Sequence, residues 1–177
     1  MWILSLEWLF LAVMVFWVIG AFKRLKRLRH ESKQAFVAVD AQFTQTIDWL
    51  RSCTRLKTLK ERVDGVPVEL AHHALLPSAD LLEGALLQAR QHPLQSETIA
   101  ALDSTWQGAQ VAWLAYMQLS QGQAGDQDEQ FQEWSLRWQQ LTTLHRHSID
   151  QFNAAVNDYN RAIAQFPACV IARLSGL

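Results

Sequence analysis

Glycine and proline are scarce, seven and four in 177 residues. β-rich folds draw on both at hairpins and bulges, and no run alternates apolar and polar residues over the length of a strand. What remains is an all-α chain. Cysteine is almost missing: Cys53 and Cys169 stand far apart, with no CxxC. That excludes a paired-cysteine redox motif or zinc site and predicts reduced thiols in a cytoplasmic domain. No glycine-rich phosphate loop is present, and no Ser or Cys sits in a recognisable nucleophile context. His72 and His73 are adjacent, and His145 and His147 are two apart. Metal pairs on a helix need spacings of three or four. These gaps predict no cofactor, no metal site and no enzyme activity. Positive charge is also lacking where a nucleic-acid partner would need it. Beyond residue 29 the chain holds 11 basic and 16 acidic residues, the reverse of a nucleic-acid-binding domain.

What the chain does have is an apolar opening, MWILSLEWLFLAVMVFWVIGAFKRLKRLRH. A secretory signal carries its charge before a short apolar run and ends in small residues at a cleavage site. Here the charge follows the run, and no such site is seen. Trp2 to Phe22 covers 21 residues, and at about 1.5 Å each they reach roughly 30 Å, the thickness of a bilayer core. The segment 1–22 therefore reads as a single transmembrane helix, with Trp2, Trp8 and Trp17 suited to interfacial depths. Lys23, Arg24, Lys26, Arg27 and Arg29 form a basic juxtamembrane segment over 23–29. The positive-inside rule then places the N-terminus outside and the rest in the cytoplasm. The same five side chains are candidate contacts for anionic lipid headgroups, at about 1 kcal/mol each near the surface. Glu7 is the discordant carboxylate. It reads either as an interfacial group or as a candidate contact with a partner helix.

The soluble part, 30–166, reads as an elongated antiparallel bundle of three to four helices, continuous with the transmembrane helix. The first soluble helix runs from Arg24 to about Arg62, with Leu28, Ala35, Val39, Phe43, Leu50 and Leu56 at helical steps. Cys53 falls on the same stripe and reads as a small core residue. Arg51, Arg55, Lys57, Lys60 and Arg62 crowd the end, where the helix dipole favours positive charge. Asp64-Gly65, Pro67 and Pro77 mark 63–77 as a connector. A short helix fits 78–91, with Asp80 and Glu83 at capping-box spacing. A third fits 94–121 along Leu102, Trp106, Ala109, Trp113 and Met117. A polar turn covers 122–130. The last helix runs from about Glu129 to Phe166, and from Phe152 its apolar steps of 4, 3, 4 and 3 follow a heptad. Residues 167–177 read as an apolar C-terminal tail.

Two blocks carry a pattern: FKRLKRLRHESKQAFVAVDAQF after the apolar segment, and IDQFNAAVNDYNRAIAQFP near the C-terminus. Together they resemble the LemA family of bacterial membrane proteins. Arg24, Leu25, Arg27, Leu28, Arg29, Ala35, Val39, Asp40, Gln42 and Phe43 match the family's first block. Phe152, Asn153, Ala155, Val156, Tyr159, Asn160, Ile163, Phe166 and Pro167 match its closing block. Gln45 and Thr46 depart from it, standing where the family carries a basic pair. The resemblance implies a helical bundle on an inner-membrane anchor and brings no catalytic residues.

Asn153, Asn157 and Asn160 lie on one stripe beside the apolar one. They are candidate partner contacts, or else amides that fix bundle register, with a hydrogen bond between one of them and the Asp40 carboxylate as the expected link. Taken together, the expectation is a non-catalytic, single-pass adaptor that presents a cytoplasmic bundle to a membrane or cytoplasmic protein. Its tryptophans would serve as interface anchors. The alternative is a membrane-organising protein acting through the basic cluster and homo-oligomerisation.

Overall fold

The computed structural model describes the backbone of residues 2–64, 69–124 and 129–165, and the side chains of 8–54, 75–118, 129 and 131–165. Four helices follow one another: α1 (Trp2–Asp64), α2 (Glu69–Gln91), α3 (Ser96–Ala124) and α4 (Glu129–Ala164). No strand occurs among the described residues. The chain divides into two compact units. Unit 1 joins residues 1–35 to 150–177, and unit 2 is Phe36–Ile149.

Unit 2 is a bundle of four helical segments. Along α1, Phe36, Val39, Phe43, Ile47, Leu50 and Cys53 are all buried, at the three- and four-residue steps that keep one helix face inward. Thr46 and Thr54 are buried on the same face. Their hydroxyls donate to the carbonyls of Gln42 and Arg51, each at 2.8 Å. A satisfied hydroxyl can enter the core without the desolvation cost of an orphaned one. One core cluster gathers Leu50, Cys53, Leu75, Ala79, Trp113 and Tyr116, with Trp49, Met117, Trp134 and Trp138 packed against it. Burying each large side chain contributes about 1.5–3 kcal/mol.

The connector expected over 63–77 is mostly helix. α2 begins at Glu69 and passes through Pro77. Proline in a helix interior gives up the bond to the carbonyl four residues back. Here the apolar stripe crosses it: Leu75, Ala79, Leu82, Leu86 and Ala89 are all buried. Packing on both sides of Pro77 holds the helix together. Only residues 65–68 of the expected connector remain outside the described backbone. The earlier start of α2 also removes the capping role expected of Asp80 and Glu83, which lie well inside it.

α2 and α3 are joined by a tight turn over 92–95. Gln95 N–H donates to the His92 carbonyl at 3.1 Å, and Thr98 Oγ1 donates to the same carbonyl at 2.8 Å. α3 and α4 open with Glu97 and Glu129 in their first turns, where the helix dipole favours negative charge.

Unit 1 pairs the first part of α1 with the last part of α4. Leu25 and Ala162 are buried together, flanked by Leu28 and Ile163. Ser32 Oγ donates to the Leu28 carbonyl at 2.9 Å and to the Ala155 carbonyl at 3.1 Å. A step forward on α1, from Leu25 to Ser32, is a step back on α4, from Ala162 to Ala155, so the two segments are antiparallel. The expected apolar tail, 167–177, lies outside the described residues.

Candidate functional site

The first candidate is the apolar start of α1. One helix near the N-terminus is long and apolar enough to cross a membrane, and only 6 % of its most apolar window is buried. A soluble core helix of that composition would be mostly covered. Trp8 is 70 % exposed and Phe16 80 % exposed. Among the described residues, the apolar surface is therefore presented outward from Trp8 to Phe22. The Glu7 side chain lies outside the described residues.

The basic segment follows on the same helix. Leu25 is fully buried against α4 and Leu28 half-buried, while Lys23, Arg24, Lys26 and Arg27 are exposed. Two leucines turn inward and the cations turn out, so the collar needs no folding beyond the helix itself. Arg27 Nε lies 3.4 Å from Glu31 Oε1, one turn on. Arg29 is half-buried, and its Nε has no hydrogen-bond partner among the described residues. The five cations thus fall into an exposed set of four and one half-buried side chain, Arg29.

Asn153, Asn157 and Asn160 are all exposed along α4. Phe152, Tyr159 and Ala162 are buried on its other side. The asparagines form a solvated polar strip, and the register-fixing role considered for them has no buried amide to carry it. Asp40, expected to bond one of them, instead accepts from Arg90 Nε on α2 at 2.6 Å. Arg51, grouped above with the cations that crowd the helix end, reaches Asp80 and Glu83 of α2, each at 2.6 Å. Its hydrogen bonds to Glu83 and then to Asp80 hold the guanidinium pKa above its ordinary value.

The aromatic core of unit 2 is the densest chemical feature. Trp113 stacks with Trp138, with centroids 5.1 Å apart and planes at 26°. Trp49 stacks on Trp138 at 5.9 Å and lies 4.7 Å from Trp113. Trp106 reaches Trp138 at 5.6 Å, and Tyr116 links Trp113 to Trp134. The five tryptophans of unit 2 thus pack among themselves, with Trp49, Trp134 and Trp138 half-buried.

His145 closes this array. Its ring lies 4.3 Å from Phe43 and 4.3 Å from Trp106. It is 4 % exposed, and neither ring nitrogen has a hydrogen-bond partner among the described residues. Burial pushes its pKa down to about 4, partly offset by the negative charge of Asp103. Cys53 is buried as expected, and desolvation pushes its thiol up to about 12. Such a thiol is a packing group rather than a nucleophile. Cys169 lies outside the described residues.

A groove of about 290 Å³ opens between α3 and α4, lined by Trp113, Leu114, Met117, Phe131 and Trp138 and by the polar Gln118, Ser135 and Gln139. Its lining carries no charge. Val111, Leu114 and Leu136 are exposed on the same two helices.

Comparison with family models, with curated proteins and with solved structures returns no match.

Proposed function

We propose that this chain is a single-pass, membrane-anchored helical adaptor without catalytic activity. The observation that carries the reading is the outward apolar surface of α1 up to Phe22, followed at once by an exposed basic collar. An outward apolar surface of that length is stable in lipid and a liability in water. The cations fit the headgroup layer next to it, with the N-terminus outside and the bundle in the cytoplasm. The inner-membrane location follows from the resemblance to the LemA family.

The adaptor part rests on what unit 2 offers a partner. Its salt bridges and aromatic core make a firm scaffold, and the uncharged groove between α3 and α4 adds an apolar contact surface. The asparagine strip of unit 1 offers amides to a partner helix. The test is co-purification of the tagged full-length protein from its native membrane in mild detergent, beside a version whose apolar segment is replaced by an unrelated transmembrane helix. A protein that recurs with both versions supports a docking surface outside the membrane. One that is lost with the replacement places recognition in the transmembrane helix and makes Glu7 the next residue to change. Failure of the protein to fractionate with membranes would overturn the reading.

A second reading is favoured by Lys23, Arg24, Lys26 and Arg27, all exposed to headgroups, with Arg27 paired to Glu31 at the surface. In this reading the protein organises anionic lipid and associates with itself. Recovery of only the chain itself and lipid in the same experiment would put this reading first.

A further inference from the structure

Among the described residues, unit 2 carries one basic group in its interior. The buried face of α1 from Phe36 to Thr54 offers Cys53 as its sole ionisable side chain, and the described buried face of α2, from Leu75 to Ala89, offers none. The described buried face of α3 offers Tyr116, and that of α4 within this unit is Leu141, His145 and Ser148. The Cys53 thiol keeps its proton up to about pH 12, and a phenol is neutral below about pH 10. Among the described residues, His145 is therefore the only inward group in this unit that can change charge on the acid side of neutrality.

Its surroundings are built for the neutral ring. Phe43 of α1 meets it edge-on at 79°, and Trp106 of α3 lies against it at 42°. Neither nitrogen is given an acceptor among the described residues, although an imidazolium needs two. The charges nearby stand outside the core. Asp103 of α3 is exposed and bonded to Gln107. Asp40 of α1 is held by Arg90 of α2. Arg146 and His147, the next two residues of α4, are exposed. The negative charge of Asp103 favours the protonated form, but it offsets the effect of burial only in part.

We propose that His145 is an acid sensor: taking up a proton at this ring releases α4 from the aromatic core of unit 2, so the bundle is closed at neutral pH and opens on acidification. The open form hydrates the imidazolium and satisfies both N–H groups, which the closed form cannot do.

The direction follows from proton binding. The closed state holds the ring neutral down to about 4, against 6.5 for a solvated histidine. The contribution to the closed state is complete above the higher value. It is lost as pH falls between the two values and changes no further below the lower one. Between about pH 7.5 and about pH 5 the open-to-closed ratio rises roughly 30-fold from this group alone.

The test is amide hydrogen exchange on the full-length protein in detergent, read on peptides covering 138–150 and corrected for the pH dependence of intrinsic exchange. The opening constant of these peptides is expected to rise roughly 30-fold over that range. In His145→Phe, which keeps a ring between Phe43 and Trp106, and in His145→Gln, it is expected to stay flat. Equal pH dependence in the wild type and both variants would overturn the proposal, as would a flat response in the wild type. The wild-type imidazole NMR titration decides the matter without any variant. A ring that titrates near 6.5 while the α4 amides stay protected overturns the sensor, and a ring that stays neutral until those amides open supports it.

Discussion

Arg90 on α2 holds Asp40 on α1, with Nε 2.6 Å from Oδ1, while its Nη2 donates to Thr44 Oγ1 at 2.9 Å. About three turns beyond Asp40 along α1, Arg51 holds Asp80 and Glu83 of α2. Both arginines reach from one helix to carboxylates on the other, so the α1–α2 register is fixed at two heights.

Removing either arginine should loosen that register modestly. Asp80 and Glu83 are 65 % and 46 % exposed, so solvent screens each pair. Arg51→Ala and Arg90→Ala should each destabilise unit 2 by about 0.5–1 kcal/mol at low salt and by less at high salt. Urea unfolding followed by circular dichroism at two salt concentrations measures this. A cost that does not change with salt would mean that the arginine stems act through packing rather than charge.

Trp113 should matter far more. It is fully buried and touches Trp49, Tyr116 and Trp138. Trp113→Ala should cost about 3–5 kcal/mol and Trp113→Phe distinctly less, because the latter keeps one ring in the stack. The same unfolding experiment separates them. A cost near 1 kcal/mol for the alanine variant would place Trp113 at the edge of the core rather than within it.

The helical class was legible in the scarcity of glycine and proline, and most of the α1 core in its spacing. Phe43, Leu50 and Cys53 are buried as their stripe requires. The start of α2 was misread because Pro77 is a local signal for a break, whereas Leu75 and Ala79 impose continuity through packing that a single segment does not reveal. Asp80 and Glu83 were misread for the same reason, since a capping spacing is meaningful only at a helix end. His145 could have been found. It stands four residues after Leu141 and seven before Phe152, squarely on the apolar stripe of α4, but its residue type directed attention to metal spacing instead. The partners of Asp40 and Arg51 were not legible, because a contact across helices depends on their relative rotation.

Cys53 should resist thiol reagents while unit 2 is folded. Its thiol is pushed up to about 12 by burial, so its thiolate population near neutrality is negligible. In a Cys169→Ser background, alkylation near neutral pH should be slow without denaturant and complete within minutes in concentrated urea. Mass spectrometry reads the label directly. The same shift has a consequence in alkali. The folded state holds the proton that an unfolded thiol loses above about 9, so stability should fall as pH rises from about 9 towards about 12. Rapid labelling of the folded protein would mean that the α1 segment around Cys53 opens locally.

Ser32 tests the close approach of α1 and α4 within unit 1. It is fully buried, and its hydroxyl lies between a carbonyl of its own helix and the Ala155 carbonyl of α4. A backbone carbonyl of a neighbouring helix can come that near only to a small side chain. Ser32→Ala keeps the size and loses the one hydroxyl proton shared between the two carbonyls, so it should cost about 0.5–1.5 kcal/mol. Ser32→Leu adds volume where α4 leaves none, and overpacking of that kind costs about 1–3 kcal/mol or displaces the helix. Hydrogen exchange distinguishes cost from displacement. Faster exchange confined to the α4 amides of residues 152–163 would show that the segment has lifted away. If leucine proved as well tolerated as alanine, with unchanged protection along α4, then the contact through Ser32 would not govern the pairing, and Leu25 with Ala162 would have to hold it alone.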